Sequence, residues 1–429
     1  MSIQTFHHQL IVESKTRRIV MGIIFLALAM VVWLFFLKGV ESTAVAQFGL
    51  TRGGDASELP PWEVPVRNAL SIVAVLAAVA GGYQIARGFK KWTNWVLALV
   101  VALFIFGFLV WATAGKSLNL AGLLATTLNK AVPITLGALS GVLCERAGVV
   151  NIAIEGMMLS GAMISAYIGS LTRLHIENEA LGVWLALASA ILVGGLMGLL
   201  LAVLSIKYKT NQIIAGTVIN ILATGLTSYI SAKFLQVYQE LNNPAIFKAT
   251  PIPGLADIPV IGPILFKNNM FVYALFIFLI VIQVVLFKTK WGLRLRSVGE
   301  HPKAADTLGI NVFKTRYTAV ILGGMMAGFA GAYFTLGSVG RFDEVMTAGR
   351  GFIGLAAMIF GNWTPFGSFG AGLLFGFADS LASRMAILQI NIPSEFLLMA
   401  PYLATMVVLA GVVGKGHMPA ADGEPYEKE

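Results

Sequence analysis

The feature that most narrows what this chain can fold into is its series of long, nearly uncharged apolar runs, beginning with residues 19–37. A helix needs about 20 apolar residues to cross a hydrocarbon layer of roughly 30 Å. Several runs reach that length without amphipathic spacing, so lipid is the solvent for most of the chain. Composition agrees: 57% of the 429 residues are apolar and 12% are charged, against about 25% charged in soluble domains. The expected fold class is all-α, a polytopic transmembrane helical bundle.

Candidate spans read at 19–37, 66–86, 93–114, 119–143, 148–170, 182–204, 211–236, 270–287, 317–337, 352–362, 367–383 and 394–413. Eleven helical residues at 352–362 would cover only about 16 Å. That piece is a half-helix, a re-entrant segment or a span continued by its flanks. The first run exceeds the h-region of a signal peptide, roughly 7–15 residues, and reads as a retained helix. Glycine pairs four apart, Gly194/Gly198, Gly324/Gly328 and Gly372/Gly376, predict places where helix backbones approach closely.

A net charge of +9 invites a nucleic-acid reading, but the basic residues sit in short clusters beside apolar runs, the pattern that orients membrane proteins. Nucleic acid is therefore not an expected partner. Clusters at 15–18, at Arg87/Lys90/Lys91, at Lys207/Lys209 and through 288–316 fall on one side of the alternating spans and mark the cytoplasm. The loops 39–65, 171–181, 237–269 and 338–351 then lie outside. Pro244, Pro251, Pro253, Pro259 and Pro263 forbid a continuous helix in 237–269. It is a docking surface for an extracellular partner or a plain connecting loop.

Enzymatic readings lack their residues. One cysteine, Cys144, excludes a disulfide framework and a cysteine metal cluster. No phosphate-binding loop is present, and all five histidines lie outside the spans. No catalytic residue, metal site or cofactor is expected on this chain.

Three groups of residues remain as functional candidates. The first is the polar stretch from Lys288 to Asn311: Pro302 suits a first helical position, Gly309 suits the residue after a helix end, and Asn311 suits the cap of the next span. Lys303–Leu308 between them make a rigid two-turn element facing the cytosol, either a docking element or a solvated connection. The second is Asn151 with Glu155, four apart on one helix face. An acid at the start of a span is a functional group by default, or a structural one held by backbone amides or Lys130. The third is a polar stripe of Thr217, Asn220, Thr224, Thr227 and Ser231, which lines a water-filled path or hydrogen-bonds a neighbouring helix. Asp379 and Arg384 read as a structural pair, and Phe360–Gly367 as a tight turn.

The stretch Arg294-Leu-Arg-Ser-Val-Gly-Glu-His-Pro-Lys-Ala-Ala-Asp-Thr-Leu-Gly-Ile-Asn311, followed by Gly323-Gly-Met-Met-Ala-Gly-Phe-Ala-Gly331, resembles permeases of ATP-binding cassette (ABC) importers for simple sugars, branched-chain amino acids and nucleosides. Gly351-Phe-Ile-Gly-Leu-Ala-Ala-Met-Ile-Phe-Gly361 and Pro365-Phe-Gly-Ser-Phe-Gly-Ala-Gly372 fit the same pattern. Glu145-Arg146-Ala-Gly-Val-Val-Asn-Ile-Ala-Ile-Glu155-Gly156 is most similar to the nucleoside-type branch. The resemblance covers about residues 119–413.

It implies a type II importer fold in the bacterial plasma membrane. Glu300, His301, Pro302, Lys303, Ala304, Ala305, Asp306, Leu308 and Gly309 would form the helix that couples to a separate ABC ATPase, where ATP and Mg would bind. A second permease subunit, giving a heterodimer, and an extracellular or periplasmic solute-binding protein complete the implied assembly. Asn151, Glu155, Thr217, Asn220, Thr224 and Thr227 are the expected translocation-path residues. The implied organisation is an N-terminal extension with three spans (1–115), a permease core (116–414) with its coupling segment near 292–311, and a polar C-terminal tail (415–429). Nucleosides are the expected cargo, simple sugars next. The alternative is an ion-coupled secondary transporter using Glu155 and Asp379.

Overall fold

A computed structural model describes residues 15–51, 59–390 and 417–428, with isolated positions between 393 and 402. The expected span 394–413 lies outside the described residues. Among the described residues nine helices are long and apolar enough to cross a membrane. By contacts the chain divides into two compact units, Met1–Gly122 with Ser383–Ser394, and Leu123–Ala382 with Glu395–Glu429.

The first unit holds helix α1 (Lys15–Val31), strands β1 (Val45–Gly49) and β2 (Trp62–Pro65), helices α2 (Val66–Ala86) and α3 (Thr93–Ala112), and strand β3 (Ser117–Asn119). β1 runs antiparallel to β2 and parallel to β3, with Ala46 opposite Val64 and Phe48 opposite Leu118. Phe25, Ala29, Ala77 and Val100 form the interior between the helices.

In the second unit, α4 (Leu120–Glu145), α5 (Ile154–His175), α6 (Glu179–Ala202) and α7 (Gln212–Ile230) are followed by an irregular stretch. That stretch carries β4 (Thr250–Pro251), the one-turn α8 (Ile261–Leu265) and β5 (Lys267–Asn268). Then come α9 (Met270–Lys288), α10 (Lys290–Glu300), α11 (Pro302–Thr307), α12 (Val312–Ala332), α13 (Arg350–Phe360) and α14 (Pro365–Ile387). The proline-rich 237–269 loop thus contains no long helix, as the missing N–H groups require. Asn178, Asn211, Asn269 and Asn311 each accept a hydrogen bond from the first turn of the helix they precede, satisfying amides that have no partner inside the helix.

Burial sorts the helices. In the most apolar stretches of α4, α5 and α12, 89%, 78% and 78% of residues are inside the protein, whereas the other spans bury 33–39%. α4 and α5 are the least hydropathic of these spans, with a mean hydropathy of 1.2 each against 1.6–2.9, because close packing favours Gly, Ala and Ser over large side chains. α6 crosses α12 at the two expected glycine pairs. A Cβ on Gly198 would lie 2.7 Å from the Val320 carbonyl oxygen, and one on Gly328 would collide with the Ala190 carbonyl. Gly376 meets α4 in the same way, 2.7 Å from the Thr127 oxygen.

Candidate functional site

The polar segment from Lys288 to Asn311 is two short helices at a bend. Thr289 Oγ1 accepts from the Gly292 amide at 3.1 Å and starts α10. His301 Nδ1 accepts from the Ala304 amide at 3.1 Å and, with Pro302 behind it, starts α11. Gly309, at φ +80°, ends it. Glu300, His301, Pro302, Lys303, Ala304, Ala305, Asp306, Leu308 and Gly309 therefore sit together on one projecting element. Ala305 is its buried underside, whereas Leu308 is 82% exposed at the tip.

A second arrangement lies inside the bundle. The chain enters α5 through an irregular stretch from Gly148 to Ala153, so the helix begins six residues later than the expected start at 148. The backbone there is satisfied by side chains of α7: Gln212 Oε1 accepts from the Val150 amide at 2.7 Å, and Asn220 donates to the Ile152 carbonyl at 2.9 Å. Asn220 Oδ1 also accepts from the Gly156 amide at 2.8 Å. Irregular backbone at membrane depth requires such partners, since lipid offers none.

Glu155, in the first turn of α5, carries the companion break. Its Oε1 accepts from the Thr347 hydroxyl at 2.6 Å and the Gly349 amide at 2.8 Å, and its Oε2 from the Gly351 amide at 2.6 Å. These are the unpaired donors at the start of α13, where a carboxylate is favoured by the helix dipole. Upstream, Asn242 exchanges two hydrogen bonds with the Phe342 backbone (2.8 and 2.7 Å), and the Asn243 amide donates to Ser170 near the far end of α5. Residues 342–349 thus run unwound along α5 from its last turns to its first, and α13 continues as a half-helix. Val345 (φ 53°) and Ala348 (φ 47°) hold left-handed conformations there, strain that the surrounding bonds sustain. The short 352–362 piece is thus an eleven-residue helix, Arg350–Phe360, preceded by an unwound flank.

Beyond α13 the expected tight turn is present, with left-handed Asn362 and Trp363. Arg146 Nε donates to the Trp363 carbonyl at 3.0 Å, and Trp363 Nε1 donates to Glu145 at 2.6 Å. Burial lowers the Arg146 guanidinium from its ordinary pKa, and nearby Glu300 acts against that.

The polar stripe of α7 divides. Asn220 and Thr227 are buried, Thr224 is half-buried and Thr217 is exposed. Thr217 and Thr227 hydroxyls bond back to the Ile213 and Thr224 carbonyls of their own helix. Asn151 is fully buried with its amide nitrogen toward Cys144 Sγ, 3.4 Å, and Ser140 Oγ, 3.5 Å. The structure therefore brings Asn151, Glu155 and Asn220 together around the start of α5 and leaves Thr217 and Thr224 apart from them. Asp379 pairs with Lys130 at 2.9 Å and lies 3.5 Å from Arg350. The sequence suggested Arg384 for Asp379, and backbone amides or Lys130 for Glu155; the amides of Gly349 and Gly351 hold Glu155, and Lys130 goes to Asp379. Beside these charges a cavity of about 250 Å³ is lined by Ile134, Ile353, Phe375, Asp379 and Tyr402. A wider one of about 650 Å³ opens past the end of α7, lined by Ser231, Gln239, Asn242, Arg341 and Glu344.

One group was missed by sequence reasoning. Residues 417–428, read as a polar tail, fold onto the α10–α11 element and bury Tyr426 against Val298, Ala305 and Val312. Its only signal was one aromatic in a polar run. Within it, burial pushes the Asp422 carboxyl up to about 7, against a hydrogen bond with Glu145 and the charge of Arg316, which both lower it.

Comparison with known proteins adds the following. The family described as branched-chain amino acid transport system, permease component, matches residues 123–413, starting where the second compact unit starts. The chain is 43% identical over 307 residues to the guanosine ABC transporter permease protein NupQ of Bacillus subtilis, covering 70% of this chain and 95% of that one. It is 40% identical over 310 residues to the nucleoside ABC transporter permease protein NupC of Lactococcus lactis, covering 71% and 96%. No solved structure matches the chain.

Proposed function

Because this chain belongs to the family of branched-chain amino acid transport system permease components, and is thereby a multi-pass ABC importer subunit of the bacterial plasma membrane, we propose that its cargo is nucleosides. The family implies a partner ATPase and a solute-binding protein. Support for the cargo comes from relatives named for guanosine and nucleosides that align along nearly their full length.

The observation that carries the mechanical part is Leu308, exposed at the tip of a capped two-turn helix between two spans. In this reading the ATPase grips that element, with Glu300–Gly309 at the contact. ATP and Mg stay on the ATPase. Closure of the ATPase pair moves the element, and the spans follow. Asn151, Glu155 and Asn220 hold the two backbone breaks beside the path, and Thr217 and Thr224 are the stripe residues left to face a neutral, hydroxyl-rich solute. A second, different permease chain completes the path, as the nucleoside-type resemblance implies.

The test is uptake into vesicles holding the permeases with their ATPase and binding protein, using labelled guanosine and labelled ribose. Guanosine uptake that needs internal ATP is expected. Uptake of ribose alone would overturn the cargo, and guanosine uptake driven by an ion gradient without ATP would overturn the coupling.

A further inference from the structure

The C-terminal segment 417–428 touches both sides of the coupling element. On the element itself, the Ala421 amide donates to the Gly299 carbonyl at 2.9 Å and the Ala420 amide to Glu300 Oε2 at 3.2 Å. Lys428 lies 3.9 Å from Asp306 on α11. On the span ends, Arg316 of α12 donates to the Glu424 carbonyl at 2.8 Å, Asp422 bonds Glu145 of α4, and Lys209, just before α7, pairs with Glu427. The His417 amide donates to Asn362 Oδ1 at 2.7 Å, in the turn between α13 and α14.

Two further facts make this more than a tail lying on a surface. The Tyr426 ring is buried and stands 5.4 Å from Phe313, so the segment supplies part of the small core under α11. Arg316 is only 2% exposed, and the charges acting on it are Asp422 and Glu424 of the segment. Taking one partner from a buried charge is strongly destabilising. Gly148 has no room for a side chain, since a Cβ there would lie 2.9 Å from the Ala421 carbonyl oxygen. A chain of a dozen residues becomes ordered only if its contacts outweigh roughly 1–2 kcal/mol of backbone entropy per residue.

We infer that residues 417–428 form a strap of the coupling machinery, with Tyr426 as its positioning residue, binding the α10–α11 element to the cytoplasmic ends of α4, α7 and α12 so that they move as one piece. Without the strap, α10–α11 joins the bundle through its two chain connections and its own packing, and part of the applied movement is spent bending the bend at His301. This rests on the reading of α10–α11 as the ATPase seat.

The test uses the whole reconstituted transporter, with Tyr426→Ala and Tyr426→Phe. The readouts are the ATPase retained on purification, ATP turnover, and guanosine taken up per ATP. Tyr426→Ala should keep the ATPase bound and turning over while uptake per ATP falls about tenfold, the size of a typical coupling free energy between sites. Tyr426→Phe, which keeps the ring, should restore the ratio. A native ratio in Tyr426→Ala overturns the strap, as does a parallel loss of uptake and turnover at unchanged ratio. Where Tyr426→Ala does not accumulate, Ala420→Pro removes one exposed donor to Glu300, and its ratio is read the same way. If the native complex lacks an ATPase, it is the seat that fails, and the strap with it; if the ATPase is present, the ratio judges the strap alone.

Discussion

Asp422 is the residue whose chemistry most directly sets how firmly the cytoplasmic face is assembled. Its carboxyl is raised from an ordinary 3.8 to about 7, chiefly by burial. The side chains acting on it are Glu145 from α4 and Arg316 from α12. An acid whose pKa is raised in the docked state holds a proton there that the released state has lost. Docking is therefore firmest near the lower value, weakens as pH rises toward the upper one, and is level above it. Hydrogen-exchange protection of the Ala421 amide, corrected for intrinsic rates, should fall between about pH 5 and pH 7.5. In Asp422→Asn the fall should be smaller. Equal profiles in the two proteins would remove Asp422 as the cause. At this scale the sequence was most readable where a residue acts on its neighbours: Pro302, Gly309 and Asn311 take the local positions their side chains prescribe. Asp422 was not readable, because its partners lie more than a hundred residues away and no local pattern points to them.

Among the elements, the short helix α13 is entered through an unwound approach with left-handed Val345 and Ala348. Discontinuous helices in transporters place backbone groups where a solute or a hinge can use them. Glu155 closes the break with three short hydrogen bonds from residues up to 196 positions away in the chain. Glu155→Gln preserves shape but turns one acceptor into a donor facing an N–H. Hydrogen bonds to a charged group contribute about 1.5–3 kcal/mol each, so a clear drop in the melting temperature of the purified complex is expected. Uptake should fall by the same factor at every pH. A shifted pH profile with unchanged melting would make Glu155 a proton carrier. Sequence reasoning offered backbone amides as the partner of the acid, but the helix face it gave Asn151 and Glu155 in common does not exist, because α5 begins only at Ile154. It could not tell which amides, because helical periodicity carries no information on which distant segment unwinds. For the same reason α10 was left without secondary structure, since its charges alternate with apolar residues under a stretch read as connection. The glycine pairs of α6 and α12 were legible, because small residues four apart mean close approach wherever lipid surrounds the helices.

At the scale of the whole molecule, a permease core begins at the residue where the family match begins, preceded by a compact unit of three apolar helices and a three-stranded sheet. Long apolar runs made the helical class legible, since it follows from what lipid excludes. The projection α10–α11 is capped by Thr289 and His301 and packed by Tyr426 of residues 417–428. If it is the seat of an ATP-driven partner, Leu308 is the point of closest approach. The decisive measurement is cross-linking in intact cells from Leu308→Cys, made with Cys144→Ser so that the single buried native thiol cannot contribute. A dominant adduct with the cytoplasmic ATPase, protected from a membrane-impermeant thiol reagent added outside, is the predicted result. Labelling from outside with no ATPase adduct would contradict it.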